Sequence, residues 1–212
     1  MMSKKIQRLN IIDIEATCWE NGITPDGQKQ REASEIIEIG IVQVNLDTLK
    51  IESKQSYLVK PTRYPVLSEY CTKLTGITND MLDKEGTTID YAIARMVSEF
   101  KTMKYEWGSW GDYDRTQFQR ECQQKQLQYP FHKTHLNLKY ILSMMVGVKV
   151  QRNVKGMLDF LHMKFEGSAH RGVDDAYNIA NMFIETISSI RRQCMINERE
   201  LIWGDDFYKE NK

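Results

Sequence analysis

Two carboxylates, Asp13 and Glu15, close the run Ile11-Ile12-Asp13-Ile14-Glu15-Ala16-Thr17. In an extended strand, residues two apart point the same way, so these acids share a face, with Ile12 and Ile14 on the other. Carboxylates side by side repel each other, and a hard divalent cation such as Mg²⁺ or Mn²⁺ removes that repulsion. The bland alternative is a strand end with two solvated acids. Far along the chain, His170-Arg171-Gly172-Val173-Asp174-Asp175 precedes Ala176, Ile179, Ala180, Phe183, Ile184 and Ile187, which recur at helical spacing. Asp174 and Asp175 fall in the first helical turn, where negative charge is favourable against the helix dipole. They could serve only as caps, with His170 a plain loop residue. Between these segments lies Trp110-Gly111-Asp112-Tyr113-Asp114, at the junction of a short apolar run and a helix carrying Phe118 and Cys122 inward. A carboxylate there could reach the first pair, or simply cap its helix.

D-I-E-A-T, W-G-D-Y-D and H-R-G-V-D-D-A, in that order, resemble the three exonuclease motifs of the DEDDh family. Residues 13–20, D-I-E-A-T-C-W-E, and residues 67–78, L-S-E-Y-C-T-K-L-T-G-I-T, resemble the branch of histone-mRNA and siRNA-trimming 3′ exoribonucleases. The resemblance runs over about residues 9–197. It implies an α/β, RNase H-like fold, a five-stranded mixed sheet flanked by helices, and metal-dependent 3′-to-5′ exonuclease activity. The implied metal ligands are Asp13, Glu15, Asp114 and Asp175, and the implied general base is His170. Both Asp112 and Asp114 stand in the middle motif; the family's aromatic–Asp register favours Asp114. The spacing H-x-x-x-x-D selects Asp175 over Asp174.

The same resemblance implies two Mg²⁺ or Mn²⁺ ions, which in such sites sit about 3.5–4 Å apart and hold the attacking and leaving oxygens of a phosphodiester. Imidazole changes charge near neutral pH, which suits it to take a proton from water; an electrostatic clamp on the phosphate is the other role open to His170. The backbone at Ala16 and Thr17 is expected at the terminal 3′-hydroxyl, with Trp19, Leu74 and Tyr113 against the last bases. Stacking of that kind tolerates any base, and packing within the protein is an equal reading for each. Arg171, beside His170, is the best of several cations (Lys73, Arg115, Arg152, Lys155) that could steer phosphates. The expected partners are single-stranded RNA or DNA 3′ ends, RNA being favoured by the branch. A nucleic-acid-binding protein without catalysis would show a broken acid set, and this set is complete.

Positioning these groups requires particular elements. Strands are expected at 9–15, 36–44, 53–59, 107–110 and 134–139, the first three as an antiparallel meander. Helices are expected at 68–74, 88–103, 115–125, 140–146, 154–162 and from 174 to about 190. A long polar loop with Gly22, Pro25 and Gly27 fills 21–32. A Gly-containing loop (Gly167, Gly172) carries His170 and could close on a substrate.

The 212 residues suffice for one exonuclease domain over the whole chain, with a core at about 9–197 and an aromatic and acidic tail at 198–212. Lys+Arg and Asp+Glu both number 29, so the formal net charge is zero. That excludes a protein that coats polyanions through general basicity, but not one that grips a strand end. The four cysteines, Cys18, Cys71, Cys122 and Cys194, form no C-x-x-C pair and read as reduced thiols in a cytoplasmic protein. A zinc site from Cys122, His132 and His135 has the wrong spacing. The first residues carry no signal core, and no apolar run reaches the roughly 18 residues of a membrane helix.

Overall fold

The computed structural model of the protein describes residues 7–150 and 152–193. The tail at 198–212, the end of the expected core and Cys194 lie outside them. The expected five-stranded mixed sheet is present. Strands β1 (Arg8–Ala16), β2 (Ile36–Asn45), β3 (Lys50–Leu58), β4 (Trp107–Ser109) and β5 (His135–Asn137) lie in the order β3-β2-β1-β4-β5. β1 pairs antiparallel with β2, and β2 with β3, while β1–β4 and β4–β5 are parallel. Every residue of β2 is buried, which its Ile-rich sequence IIEIGIVQVN satisfies on both faces. β3 is the polar edge strand, KIESKQSYL, and its lysines suit an exposed edge. It starts at Lys50 rather than at 53 because an edge strand needs no apolar run to mark its beginning.

Helices cover both faces. Ile12 and Ile14 of β1 pack with Ile89, Met96 and Phe100 of α4 (Ile89–Phe100) and Phe118 of α5 (Tyr113–Gln124). Leu9 and Ile11, on the face that also carries Asp13 and Glu15, pack with α6 (Leu138–Met145), α7 (Val154–Phe160) and α8 (Gly172–Gln193). A third cluster joins Cys18 and Ile37 to α2 (Glu69–Thr75) and α3 (Asn79–Glu85). The L-S-E-Y-C-T-K-L-T-G-I-T segment is two capped helix ends. The Cys71 amide donates to the Ser68 hydroxyl (3.0 Å), Gly76 closes α2 in the left-handed conformation, and the Met81 amide donates to Thr78 (3.1 Å). Helix α3 adds to the expected elements, because its signal is the Thr78 cap and not a periodic apolar face. The short helix α1 (Gln30–Ala33) likewise closes what reads as loop.

One backbone contact sets α8 on the sheet. A methyl group built on Gly40 of β2 would lie 2.0 Å from the Gly172 carbonyl carbon, and one on Gly172 would lie 2.8 Å from the Asp13 carbonyl oxygen. Asp13 and Gly40 are register partners. Only glycine at both positions lets the first turn of α8 rest directly on β1 and β2. We expect Gly40→Ala to cost about 1–3 kcal/mol, the usual penalty of overpacking, and to cut any metal affinity of the carboxylates nearby. Denaturant melts and calorimetric metal titration check this; an unchanged melt and unchanged affinity would contradict it.

Candidate active site

The Gly40–Gly172 contact delivers Asp175 to the end of β1. One carboxylate oxygen from each of Asp13, Glu15 and Asp175 lies within 4.8 Å of the others, the one such group among the described residues. Asp114 stands behind them in the first turn of α5. It is buried, and its Oδ1 accepts the Ile14 amide at 3.0 Å. Asp112 is turned outward instead, 2.8 Å from Arg115 and 2.9 Å from the Asn137 side-chain amide. The register within the middle motif thus places Asp114, and not Asp112, against β1.

Burial and mutual repulsion disfavour ionisation of all four acids. Burial pushes Glu15 up to about 9, with Asp175, Glu38 and Asp114 adding repulsion. Asp13 is raised well above its ordinary range by burial and then by Asp114, Asp175 and Glu15. Burial raises Asp114 to about 6 against the hydrogen bond from Ile14, and Asp175 to about 6 against the His170 amide and ring. This donor set is all hard oxygen, and its unrelieved repulsion is what a divalent cation would offset, so the residues present fit such an ion.

The His170 loop is tethered to α8 by three hydrogen bonds. The Ser168 amide donates to Asp174 Oδ2 (2.9 Å), the His170 amide to Asp175 Oδ2 (2.7 Å) and the Glu166 amide to Asn178 Oδ1 (3.0 Å). Asp174 thus joins Asp175 and Asn178 in folding the loop back onto α8. His170 is solvent-exposed and held at φ 62°, a left-handed conformation uncommon for a non-glycine residue.

Arg171 is held in an ion pair: its guanidinium binds Glu38, Nε at 3.1 Å and Nη2 at 3.4 Å. Glu38, fully buried and paired across the sheet with Glu15, also accepts the Gly172 amide (3.0 Å) and the Ser56 hydroxyl (2.6 Å). The pair fastens the His170 loop to β2. Sequence reasoning misses Glu38 because an acid in an apolar strand looks like an outward-facing residue. The pattern Ile36-Ile37-Glu38-Ile39-Gly40, apolar on both sides, is the available sign that both faces are covered.

Thr17 is tied to Glu35, just before β2. Its amide donates to the Glu35 carbonyl (2.8 Å), and its hydroxyl accepts the Glu35 amide (2.9 Å). The Ala16 carbonyl accepts the Cys71 thiol at 3.7 Å. Trp19 is half-buried and meets Tyr64 edge to face, with ring centroids 4.8 Å apart. Leu74 is not sealed in the core. It lines a cavity of about 460 Å³ with Glu20, Glu69, Tyr70 and Lys73. Tyr113 is 50% exposed. Of the other cations named from sequence, Arg115 pairs with Asp112, Lys155 with Asp159, and Arg152 stacks on Phe160. Cys18, Cys71 and Cys122 are buried free thiols, and no cluster containing Cys122, His132 and His135 forms among the described residues.

A carboxylate with a raised folded pKa binds its proton more tightly when folded, so folding loses stability as pH rises above the ordinary carboxylate range. In chelator, the melting temperature should fall between about pH 5 and pH 9, the window bounded by Glu15. Adding Mn²⁺ should recover most of the loss at the alkaline end and little at the acid end. Melts in EDTA and Mn²⁺ across this range measure it; a Tm that rises with pH in EDTA would contradict the burial of these acids.

The family model described as an exonuclease, RNase T, matches residues 11–183. Human "3'-5' exoribonuclease 1" is 32% identical over 186 residues, covering 84% of this chain and 51% of that protein. The Drosophila melanogaster "3'-5' exonuclease Snipper" is 30% identical over 195 residues, covering 83% and 68%. The crystal structure of the nuclease domain of 3'hExo, a DEDDh family member bound to rAMP, superposes with a TM-score of 0.77 at 30% identity, covering 88% of this chain and 94% of that one. The chain spans about half the length of the first of these relatives. With its acids brought together as described, the chain belongs to the RNase T exonuclease family.

Proposed function

We propose that this chain is a divalent-cation-dependent 3′-to-5′ exonuclease that releases 5′-mononucleotides from single-stranded RNA ends. The carrying observation is the convergence of Asp13, Glu15 and Asp175 within 4.8 Å. Relatives named as 3′-5′ exoribonucleases, and a neighbouring structure bound to rAMP, support RNA over DNA. Two Mg²⁺ or Mn²⁺ ions, when bound, would polarise the phosphate and activate the attacking water. Asp13, central in the cluster, Glu15 and Asp175 would hold them, with Asp114 completing the set from behind. His170 takes the proton from the attacking water, and the 3′-oxygen of the preceding nucleotide leaves. The tether from Asp175 to the His170 amide keeps base and ligand in one unit. Trp19, Leu74 and Tyr113 receive the terminal nucleotide beside the cavity at Leu74.

We read the chain as one exonuclease unit acting in the cytoplasm; three buried, unpaired thiols support a reducing compartment. No described helix is long and apolar enough to cross a membrane.

RNA and DNA oligonucleotides labelled at either end test the activity in Mg²⁺ and Mn²⁺. Stepwise loss of mononucleotides from RNA is expected, strongly slowed by a 3′-phosphate that adds charge where the hydroxyl should seat. Faster degradation of DNA would favour the DNA-directed reading, and rapid cutting of circular RNA would show an endonuclease instead.

His170→Ala should lower turnover by about 10²–10⁴, the usual share of a general base. It should leave Mn²⁺ affinity nearly unchanged, because the four acids supply the protein's oxygens. Abolished metal binding in calorimetry would make His170 a ligand.

A further inference from the structure

A second cleft opens beside the carboxylates. It has a volume of about 560 Å³ and is lined by Gly111, Asp112, Asn137, Lys139, Tyr140 and Lys149 among others. Gly111 and Asp112 follow β4, and Asn137 is the last residue of β5. Both strands run parallel to β1, so the cleft lies at the same sheet end as Asp13 and Glu15. It also lies on the same face: Leu138, which opens α6, packs with Leu9 and Ile11, the side of β1 that carries the two acids. The register runs from Ile11 through Gly108 to Leu136, so Asn137 stands about level with Ile12, two inter-strand steps or about 10 Å across the sheet and one residue short of Asp13. Asp112, in the cleft lining, is two residues from Asp114, whose carboxylate accepts the Ile14 amide.

The lining suits an anionic, aromatic chain. Among the described residues, neither Lys139 nor Lys149 makes a salt bridge, whereas Arg115, Lys155 and Arg171 are paired. The negative charge of Asp112 is taken up by Arg115 and the Asn137 amide. Tyr140 is 53% exposed and offers a ring face, and Gly111 has open space where a side chain would stand. Free ammonium groups beside an exposed ring match alternating phosphates and bases in an unpaired strand.

We infer that this cleft is a second nucleic-acid subsite that holds the RNA strand upstream of the nucleotide being removed, Lys139 and Lys149 on phosphates and Tyr140 against a base. The inference rests on the proposed exonuclease reading for its direction of travel. Its consequence is that short and long substrates are bound differently. A dinucleotide fills only the carboxylate site, while a longer strand also engages the cleft.

The test compares wild type with the double variant Lys139→Gln, Lys149→Gln. Anisotropy in EDTA reads the affinity for a labelled RNA of about a dozen nucleotides at several salt concentrations. Hydrolysis of an RNA dinucleotide in Mn²⁺ reads the carboxylate site alone. The variant should bind the long RNA about tenfold more weakly. Its log Kd should depend less steeply on log salt, by about 0.7 for each phosphate that the lysines no longer neutralise. Dinucleotide hydrolysis should be unchanged. Unaltered affinity and salt slope, or an equal fall in dinucleotide hydrolysis, overturns the inference. If wild type binds RNA with the expected lysine dependence yet hydrolyses neither substrate, the exonuclease reading fails and the subsite stands.

Discussion

Repulsion among one buried and three half-buried carboxylates is the constraint around which this molecule is arranged. Asp13 and Glu15 arrive on a central strand, Asp175 from the far end of the chain and Asp114 from a helix packed behind. Each raises the cost of ionising the others. Such a set does not assemble by attraction between its members; it is imposed by contacts elsewhere. The Gly40–Gly172 contact brings α8 close enough that Asp175 has no place to retreat. The Glu38–Arg171 pair and the Gly172 amide then lock the loop that precedes it. The apolar packing of α6, α7 and α8 on Leu9, Ile11, Val42 and Val44 supplies the free energy that holds these charges together.

The elements that carry the acids are legible in the sequence because their patterns are strong. Ile-rich β1 and β2, the long apolar stripe of α8 and the D-x-E and H-x-x-x-x-D spacings each announce themselves locally. What stays hidden depends on tertiary partners. Glu38 and Gly40 are ordinary letters in a strand until another element is known to lie on them. Arg171 adjoins His170 in the sequence, but nothing there announces its pairing with the buried Glu38 of β2. Asp114 and Asp112 are equivalent by composition and separate only through the turn that starts α5, which buries one against Ile14 and leaves the other outside. Helix α3 escapes because a polar seven-residue helix is specified by its cap.

The loop around His170 shows how a strained residue is retained. A histidine at positive φ has an intrinsic conformational cost, about 1–3 kcal/mol where the region is sparsely populated. Here the amides of Glu166, Ser168 and His170 all donate to side chains in the first two turns of α8. Those hydrogen bonds over-determine the backbone, so the conformation persists without a contact from the imidazole itself. The imidazole is left exposed on a loop that its own amide ties to Asp175.

A net charge of zero looks at odds with the proposed polyanionic substrate until the charges are followed to their partners. Arg8, Arg63, Arg95 and Lys84 are matched to Glu52, Asp26, Glu99 and Asp80, and Arg171 is absorbed in holding the loop. Of the cations named from sequence, Arg115 and Lys155 are paired as well, with Asp112 and Asp159. The field that the proposed strand end would meet is set locally, by cations near the acids that have no carboxylate partner, such as Lys139 and Lys149, by any ion held among the four acids, and by the turn where Asp112 is neutralised. A protein arranged this way can engage one end of a chain without a general attraction for its length. Selectivity for ends then follows from where charge is left over, and the total charge says little about it.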